Sequence, residues 1–180
     1  EQAMLAARHV EGQVVGDGTG AVAVLGEREC TLQRRHQKLI EIAPAPGLDS
    51  TIRKKLHAAA AAMASGVKYK GLGTFEFLVD ANSSSKLPFA FIEANARLQV
   101  EHTVTEEIFG LDLVALQFRV ASGATIKTLA LPSDRLPGRI AMQLRVNSEV
   151  MQSDGSTKPA AGTIDRLRLP GGPGVRVDTH

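Results

Sequence analysis

Residues 91–102 read FIEANARLQVEH. Taken at every second position from Glu93, the side chains are Glu93, Asn95, Arg97, Gln99 and Glu101, with Ala94, Ala96, Leu98 and Val100 between them. Successive side chains of an extended chain point to opposite faces. The stretch is therefore expected to be apolar on one side and to carry carboxylates, amides and a guanidinium on the other. Just upstream, GTFEFLVD (73–80) and PFAFIEAN (88–95) read as two strands joined by the short polar loop NSSSK (82–86). Period 2 sends Glu76 with Thr74 and Leu78 to one face and Phe75 and Phe77 to the other. If the two strands pair, Glu76 faces Glu93 and Asn95.

Side chains two apart on a strand are spaced about 6.6 Å, so the oxygens of Glu76, Glu93 and Asn95 can converge on a cation above the sheet. Two carboxylates and an amide oxygen form a hard, all-oxygen set suited to Mg²⁺ or Mn²⁺ shared with substrate phosphates. The plainer alternative is a solvated strand face. Against it, Asn and Glu are poor strand formers, and an unpaired carboxylate at Glu76, inside an aromatic strand, is costly. Buried ion-pair networks give similar patterns.

A second polar cluster, Gln33-Arg34-Arg35-His36-Gln37-Lys38, offers an ammonium and bidentate guanidinium groups to an anion. A solvated basic loop is the alternative, but the flanking TLQ and LIEIA segments are expected to clamp the cluster between strands. Arg145, in the alternating segment AMQLRVN, reads on its own as a structural or surface arginine. Cys30 reads as packing, and His57 as solvent-facing.

Working outward, HVEGQVVG (9–16) and AVAVLGE (21–27) flank the turn Asp17-Gly18-Thr19-Gly20 and predict a hairpin. Ser50 is a candidate N-cap for a helix to about Ala64, with Ile52, Leu56, Ala59, Ala60 and Met63 on one face. Thr105–Ala121 is predicted helical, with Gly110 a possible break. GRIAMQLRVN, TIDRLRL and GVRVD predict a β-rich region after a boundary near Leu136.

The 180 residues suffice for a sizeable core. A formal charge of +2 with only 4% aromatics argues against a single-strand nucleic-acid platform, and no apolar run approaches a membrane span. Neither nucleic acid nor membrane is an expected partner. One cysteine excludes an internal disulfide and points to a reducing compartment, the cytoplasm or, in a eukaryote, the mitochondrial matrix. The start at Glu1 and the end on GVRVDTH are expected to belong to a piece of something longer.

With RRHQK followed by EIAPAPG, then GTFEF, then FIEANARLQVEHTVTE, the chain resembles the biotin carboxylase component of biotin-dependent carboxylases, which is an ATP-grasp enzyme. The resemblance runs in order over essentially the whole chain. It implies an α+β fold: the second, mostly antiparallel lobe of an ATP-grasp domain over 1–136, and the start of a β-rich C-terminal domain over 137–180. It also implies an ATP-dependent ligase that forms carboxyphosphate from ATP and bicarbonate and carboxylates biotin on a separate carrier domain. A carboxyltransferase domain or subunit and homo-oligomerisation come with it.

Position by position, the resemblance implies Glu76, Glu93 and Asn95 as ligands of Mg²⁺ or Mn²⁺. Glu1, Met4, His9, Gln33 and His36, with Glu76 and Glu93, match ATP-binding positions. Lys38, Arg97, Gln99, the Val100 backbone and Glu101 match the bicarbonate pocket, with Glu101 as base and Arg97 as stabiliser of the developing anion. Arg145 matches the arginine that steadies biotin enolate.

The family's ATP-binding lysines, glycine-rich lid and N-terminal nucleotide-fold domain would precede Glu1. In EQAM (1–4) only Glu1 and Met4 fit the adenine hinge. The 180 residues alone are therefore expected to show little carboxylase activity. A carbamoyl-phosphate-synthetase-like ligase would share the metal set, and an inactive nucleotide-binding or structural fragment is the non-catalytic alternative. RRHQK and Arg145 favour the carboxylase. HTVTE and KPAAGTI lean towards acyl-CoA or pyruvate rather than urea as final acceptor.

Overall fold

The computed structural model describes residues 4, 6–81, 87–132 and 138–179, so the expected loop at 82–86 lies outside the described residues. Two compact units divide after Arg145, and each is taken by itself.

The first unit is built on a six-stranded sheet in the order β5-β4-β1-β2-β3-β6. Its strands are β1 (Ala7–Asp17), β2 (Val22–Arg34), β3 (Gln37–Ala43), β4 (Lys70–Asp80), β5 (Phe89–Asn95) and β6 (Ala141–Leu144). Every neighbouring pair is antiparallel. The β1–β2 hairpin forms as expected, and Asp17 shapes its turn by accepting from Thr19 N at 2.9 Å and Thr19 Oγ1 at 2.7 Å.

RRHQK lies between two strands as expected, and it forms the tip of the β2–β3 hairpin. Arg35 and His36 have φ of 51° and 64°, the positive pair that a type I′ turn requires. Such a connection suits the right-handed twist of the strands, which is why β2 runs on to Arg34.

Alternation along β1 and β4 gives the sheet two faces. Val10, Val14, Phe75, Phe77 and Val79 pack under α1 (Ser50–Gly66), against Leu56, Ala60 and Ala64. The expected apolar helix face is therefore the buried one. The helix is capped by Asp49, not Ser50, because the Asp49 carboxylate accepts from Thr51 N at 2.8 Å and Ile52 N at 3.1 Å. Leu56 is fully buried, so Leu56→Ala should cost about 2–5 kcal/mol.

On the opposite face Val15, Leu25 and Leu72 pack against Leu113, Leu116 and Val120 of α3 (Leu113–Ala121). Helix α2 (His102–Phe109) precedes it, and the expected break is Gly110, a left-handed C-cap with φ of 66°. A Cβ on Gly16 would lie 2.2 Å from the Tyr69 carbonyl oxygen, so β1 passes the end of α1 at a separation only glycine allows.

Residues 141–145 stay with the first unit, beyond the boundary expected near Leu136, because β6 pairs with β3. In the second unit, Val146–His180, β7 (Glu149–Met151) and β8 (Thr157–Pro159) form a hairpin. TIDRLRL and GVRVD, expected as strands, are irregular and exposed through their described residues. Among those residues no segment pairs with them, and alternation without a partner leaves backbone groups to water.

Candidate active site

The face opposite α1 carries a row of charged neighbours across four strands. Glu93 on β5 pairs with Glu76 on β4, Glu76 with Glu11 on β1, and Glu11 with Arg28 on β2. A second row sets Asn95 beside Thr74 and Thr74 beside Gln13. Like charges directly opposite each other repel, so three adjacent carboxylates require cations.

Two cations come from β2 and β3. The Arg28 guanidinium is fully buried and donates to Glu11 Oε1 at 2.6 Å, Gln13 Oε1 at 2.7 Å, Thr105 Oγ1 at 2.9 Å and Thr74 Oγ1 at 3.2 Å. Lys38 Nζ donates to Glu11 Oε2 at 2.6 Å, Glu101 Oε1 at 2.7 Å and Glu76 Oε1 at 3.1 Å. A third cation, Arg145, comes from the residue after β6. It donates to Glu41 Oε1 through Nε and to Glu101 Oε2 through a terminal nitrogen, both at 2.8 Å.

Glu76 is the meeting point. Lys38, Asn95 Nδ2 at 2.9 Å and Gln99 Nε2 at 3.1 Å all donate to its Oε1. Gln33 Nε2 donates to His9 Nδ1 at 2.8 Å, which leaves His9 Nε2 to carry the proton that faces Glu76 Oε2 at 2.6 Å. Burial opposes ionisation of Glu76. His9, Lys38 and Gln99 outweigh it and hold the carboxyl down at about 2.

Burial likewise opposes charge on Glu101 and Lys38. Lys38 lowers the Glu101 carboxyl, and Glu11 and Glu101 raise the Lys38 ammonium. Glu76, Glu101 and Lys38 are thus held in their charged forms at neutral pH.

Of the expected metal set, Glu76, Glu93 and Asn95 are brought together as anticipated. Asn95 Nδ2 donates 2.9 Å to Glu76 Oε1 and 2.9 Å to Glu93 Oε1, so both carboxylates aim at one amide group. Rotating that amide presents its oxygen to the same spot, which fits a hard divalent cation.

Lys38, Gln99 and Glu101 also join the cluster. Glu101 stands at the N-cap of α2 without capping it, since its carboxylate is committed to Lys38 and Arg145. Val100 forms part of the turn before α2, with its side chain exposed. His36 is exposed at the hairpin tip, outside the cluster. Met4 precedes β1 and is half-buried, and Glu1 lies outside the described residues.

Arg97 corrects the expectation. It was expected beside Glu101, but it is exposed and its guanidinium donates to the Leu98 carbonyl at 3.3 Å. It lines a separate recess of about 440 Å³ with Tyr69, Lys70 and Gln117. The reason is geometric. β5 ends at Asn95, and a turn rather than a strand brings Gln99 and Glu101 inward, so period 2 no longer assigns sides. The cations beside Glu101 are Lys38 and Arg145.

His57 also departs from its expected exposure. Its Nε2 lies 2.8 Å from Oε2 of buried Glu27, whose Oε1 accepts from Arg53 Nε at 2.8 Å. Cys30 is fully buried, and burial followed by Glu11 pushes its thiol well up.

Glu11, Arg28 and Glu41 are charged residues supporting this cluster that the sequence reading missed. The signal was uneven: Glu41 is a lone charge among apolar neighbours in LIEIA, the pattern that singled out Glu76, whereas Glu11 shares its face with His9 and Gln13 and Arg28 sits between Glu27 and Glu29.

Residues 1–129 match the family described as carbamoyl-phosphate synthase L chain, ATP binding domain. The chain is 46% identical over 172 residues to pyruvate carboxylase of Aspergillus niger, covering 95% of this chain and 14% of that protein. It is 45% identical over 174 residues to biotin carboxylase of Nostoc sp., covering 96% of this chain and 37% of that protein. Among solved structures, the biotin carboxylase domain of a single-chain bacterial carboxylase superposes with a TM-score of 0.85 at 48% identity, covering 98% of this chain and 39% of that one. The chain thus spans well under half the length of these relatives. Sheet, site and match agree: this chain belongs to the carbamoyl-phosphate synthase L chain ATP-binding domain family, and its likeness within that family is to biotin carboxylases.

Proposed function

We propose that the chain is the second part of the ATP-grasp domain, and the start of the C-terminal domain, of a biotin carboxylase. The enzyme uses ATP and bicarbonate to carboxylate carrier-borne biotin through carboxyphosphate. The observation that carries this reading is the position of Lys38. One ammonium touches both Glu76 of the cation-binding set and Glu101, the carboxylate that Arg145 also holds. That shared ammonium supports a nucleotide phosphate and a small oxyanion bound as neighbours.

Phosphoryl transfer is mainly positioning and charge neutralisation. Glu76, Glu93 and Asn95 would hold Mg²⁺ or Mn²⁺, which neutralises phosphate charge. His9 and Gln33 border that set. Lys38 keeps its proton and supplies a fixed positive charge to bicarbonate. Glu101 is ionised while Lys38 and Arg145 hold it. As those cations turn to the incoming anions, its proton affinity rises and it acts as the base that deprotonates bicarbonate. Arg145 then faces the biotin-side anion.

The partners of this reading are a biotin carboxyl carrier domain, a carboxyltransferase and further copies of the enzyme. The final acceptor is an acyl-CoA or pyruvate, and the setting is the cytoplasm or mitochondrial matrix. The test is ATP cleavage by the full-length protein with bicarbonate and biotin varied in turn. The reading expects dependence on bicarbonate and stimulation by biotin. Cleavage that needs neither would overturn it.

A further inference from the structure

Glu41 is fully buried on β3, three strands from Glu76, and no sequence motif drew attention to it. Its Oε1 accepts from Arg145 Nε at 2.8 Å and lies 2.6 Å from a terminal guanidinium nitrogen. Its Oε2 is buried without a hydrogen-bond partner among the described residues. A carboxylate oxygen taken out of water and left unpaired is costly, so a role in packing alone does not account for it.

The same guanidinium donates to Glu101 Oε2 at 2.8 Å, so Arg145 is divided between two carboxylates of different standing. Glu101 also holds Lys38 and lies in the proposed bicarbonate pocket. Glu41, among the described residues, holds only Arg145 and is anchored in the sheet by the β3–β6 ladder, where it pairs with Gln143. The Arg145 amide donates in turn to the Leu39 carbonyl at 2.9 Å, fixing the arginine's backbone to the same strand.

Resting on the reading under Proposed function, we infer that Glu41 is a positioning residue for the biotin half-reaction. It grips the Nε edge of Arg145 while the terminal nitrogens exchange Glu101 for the biotin-side anion. An arginine that must leave one carboxylate for a substrate needs a second, fixed carboxylate, or it loses its aim at the moment of transfer. Glu41 provides that through Nε, which Glu101 does not touch, although the two carboxylates share one terminal nitrogen. A guanidinium held along one edge retains a defined plane, and orientation of a charged group at this level carries large rate factors.

The test uses full-length protein with Glu41→Gln and Glu41→Asp. Two reactions are followed: ATP cleavage with bicarbonate and no biotin, and carboxylation of free biotin. Glu41→Gln is expected to lower kcat for biotin carboxylation roughly ten- to hundredfold, the range for losing a charge-assisted contact to an oriented arginine. Its biotin-independent ATP cleavage and its KM for ATP should stay within about twofold. Glu41→Asp keeps the charge and should recover part of the loss, and it carries the test if the glutamine variant does not fold. Equal losses in both reactions, or no loss in either while Arg145→Met loses biotin carboxylation, would overturn the inference and leave the proposed function standing. Wild-type protein without any biotin carboxylation would overturn both.

Discussion

Arg28 and Glu11 form an ion pair with no exposed surface: Nε to Oε1 is 2.6 Å, and both side chains are 0% accessible. They are cross-strand neighbours on β2 and β1. Arg28 donates to acceptors on β1, β4 and α2, so this one side chain ties three elements together. The pair connects to the Glu76–Glu101 cluster through the other Glu11 oxygen, which accepts from Lys38.

The first expectation concerns that pair. Arg28→Met leaves Glu11, Gln13, Thr74 and Thr105 buried and short of a donor, and breaking one side of a buried ion pair costs about 3–5 kcal/mol. Urea unfolding of the full-length protein should show a loss of that size in the transition that reports this domain. Adding Glu11→Leu should return part of it, since replacing both partners removes the uncompensated charge. A single variant as stable as the wild type would show that the network is dispensable.

A second expectation follows from Glu76. Its folded carboxyl sits at about 2 against an ordinary 4.5. A carboxyl lowered in the folded state stabilises the fold above its unfolded value, and that contribution is lost as pH falls from about 4.5 towards 2. Glu101 and Glu27 are lowered in the same sense and act in the same window. Glu41 is raised by burial, with Arg145 opposing, so its contribution has the opposite sign. Melting temperatures over pH 2–7 should be flat at the upper end and fall below about 4.5. The Glu76→Gln variant should fall less steeply. Parallel curves would mean that Glu76 is not held down in the folded protein.

Much of this was legible in the sequence, for reasons specific to each element. Glu76 stood out because aromatic neighbours on both sides demand a buried strand, and its pairing with Glu93 and Asn95 followed from a short connection. Glu11 was harder to see, because His9 and Gln13 beside it make β1 look like an ordinary amphipathic hairpin. Only the six-strand order, which buries β1 between β4 and β2, turns that polar face into an interior one. Arg97 was misplaced by extending period 2 past Asn95, where the strand ends. His57 was taken for a surface residue because its alanine-rich helix offers no partner in sequence. Its partner, Glu27, lies thirty positions away on β2.

A third expectation separates the two carboxylates of the proposed cation site. Glu93 is exposed and meets the cluster through Asn95, whereas Glu76 also meets His9, Lys38 and Gln99. Glu93→Gln should therefore abolish Mg²⁺-dependent ATP cleavage, by more than about a hundredfold, with little change in melting temperature. Glu76→Gln should lose both. Unchanged cleavage in the Glu93 variant at any Mg²⁺ concentration would remove Glu93 from the site.

The last expectation concerns Lys38, the group shared by both halves of the cluster. Lys38→Met removes the ammonium from Glu11, Glu76 and Glu101 together. The Glu101 carboxyl then keeps Arg145 and the more distant Arg28 as neighbouring cations, so its pKa should rise while the proposed bicarbonate pocket loses a fixed positive charge. Two effects follow with different signatures. Saturation by bicarbonate should weaken by roughly tenfold or more, as expected for loss of a charge-assisted contact. The acid limb of the pH–rate profile should move to higher pH, because Glu101 now needs a higher pH to ionise. A variant that keeps the wild-type bicarbonate dependence but loses ATP affinity would instead place Lys38 on the nucleotide alone.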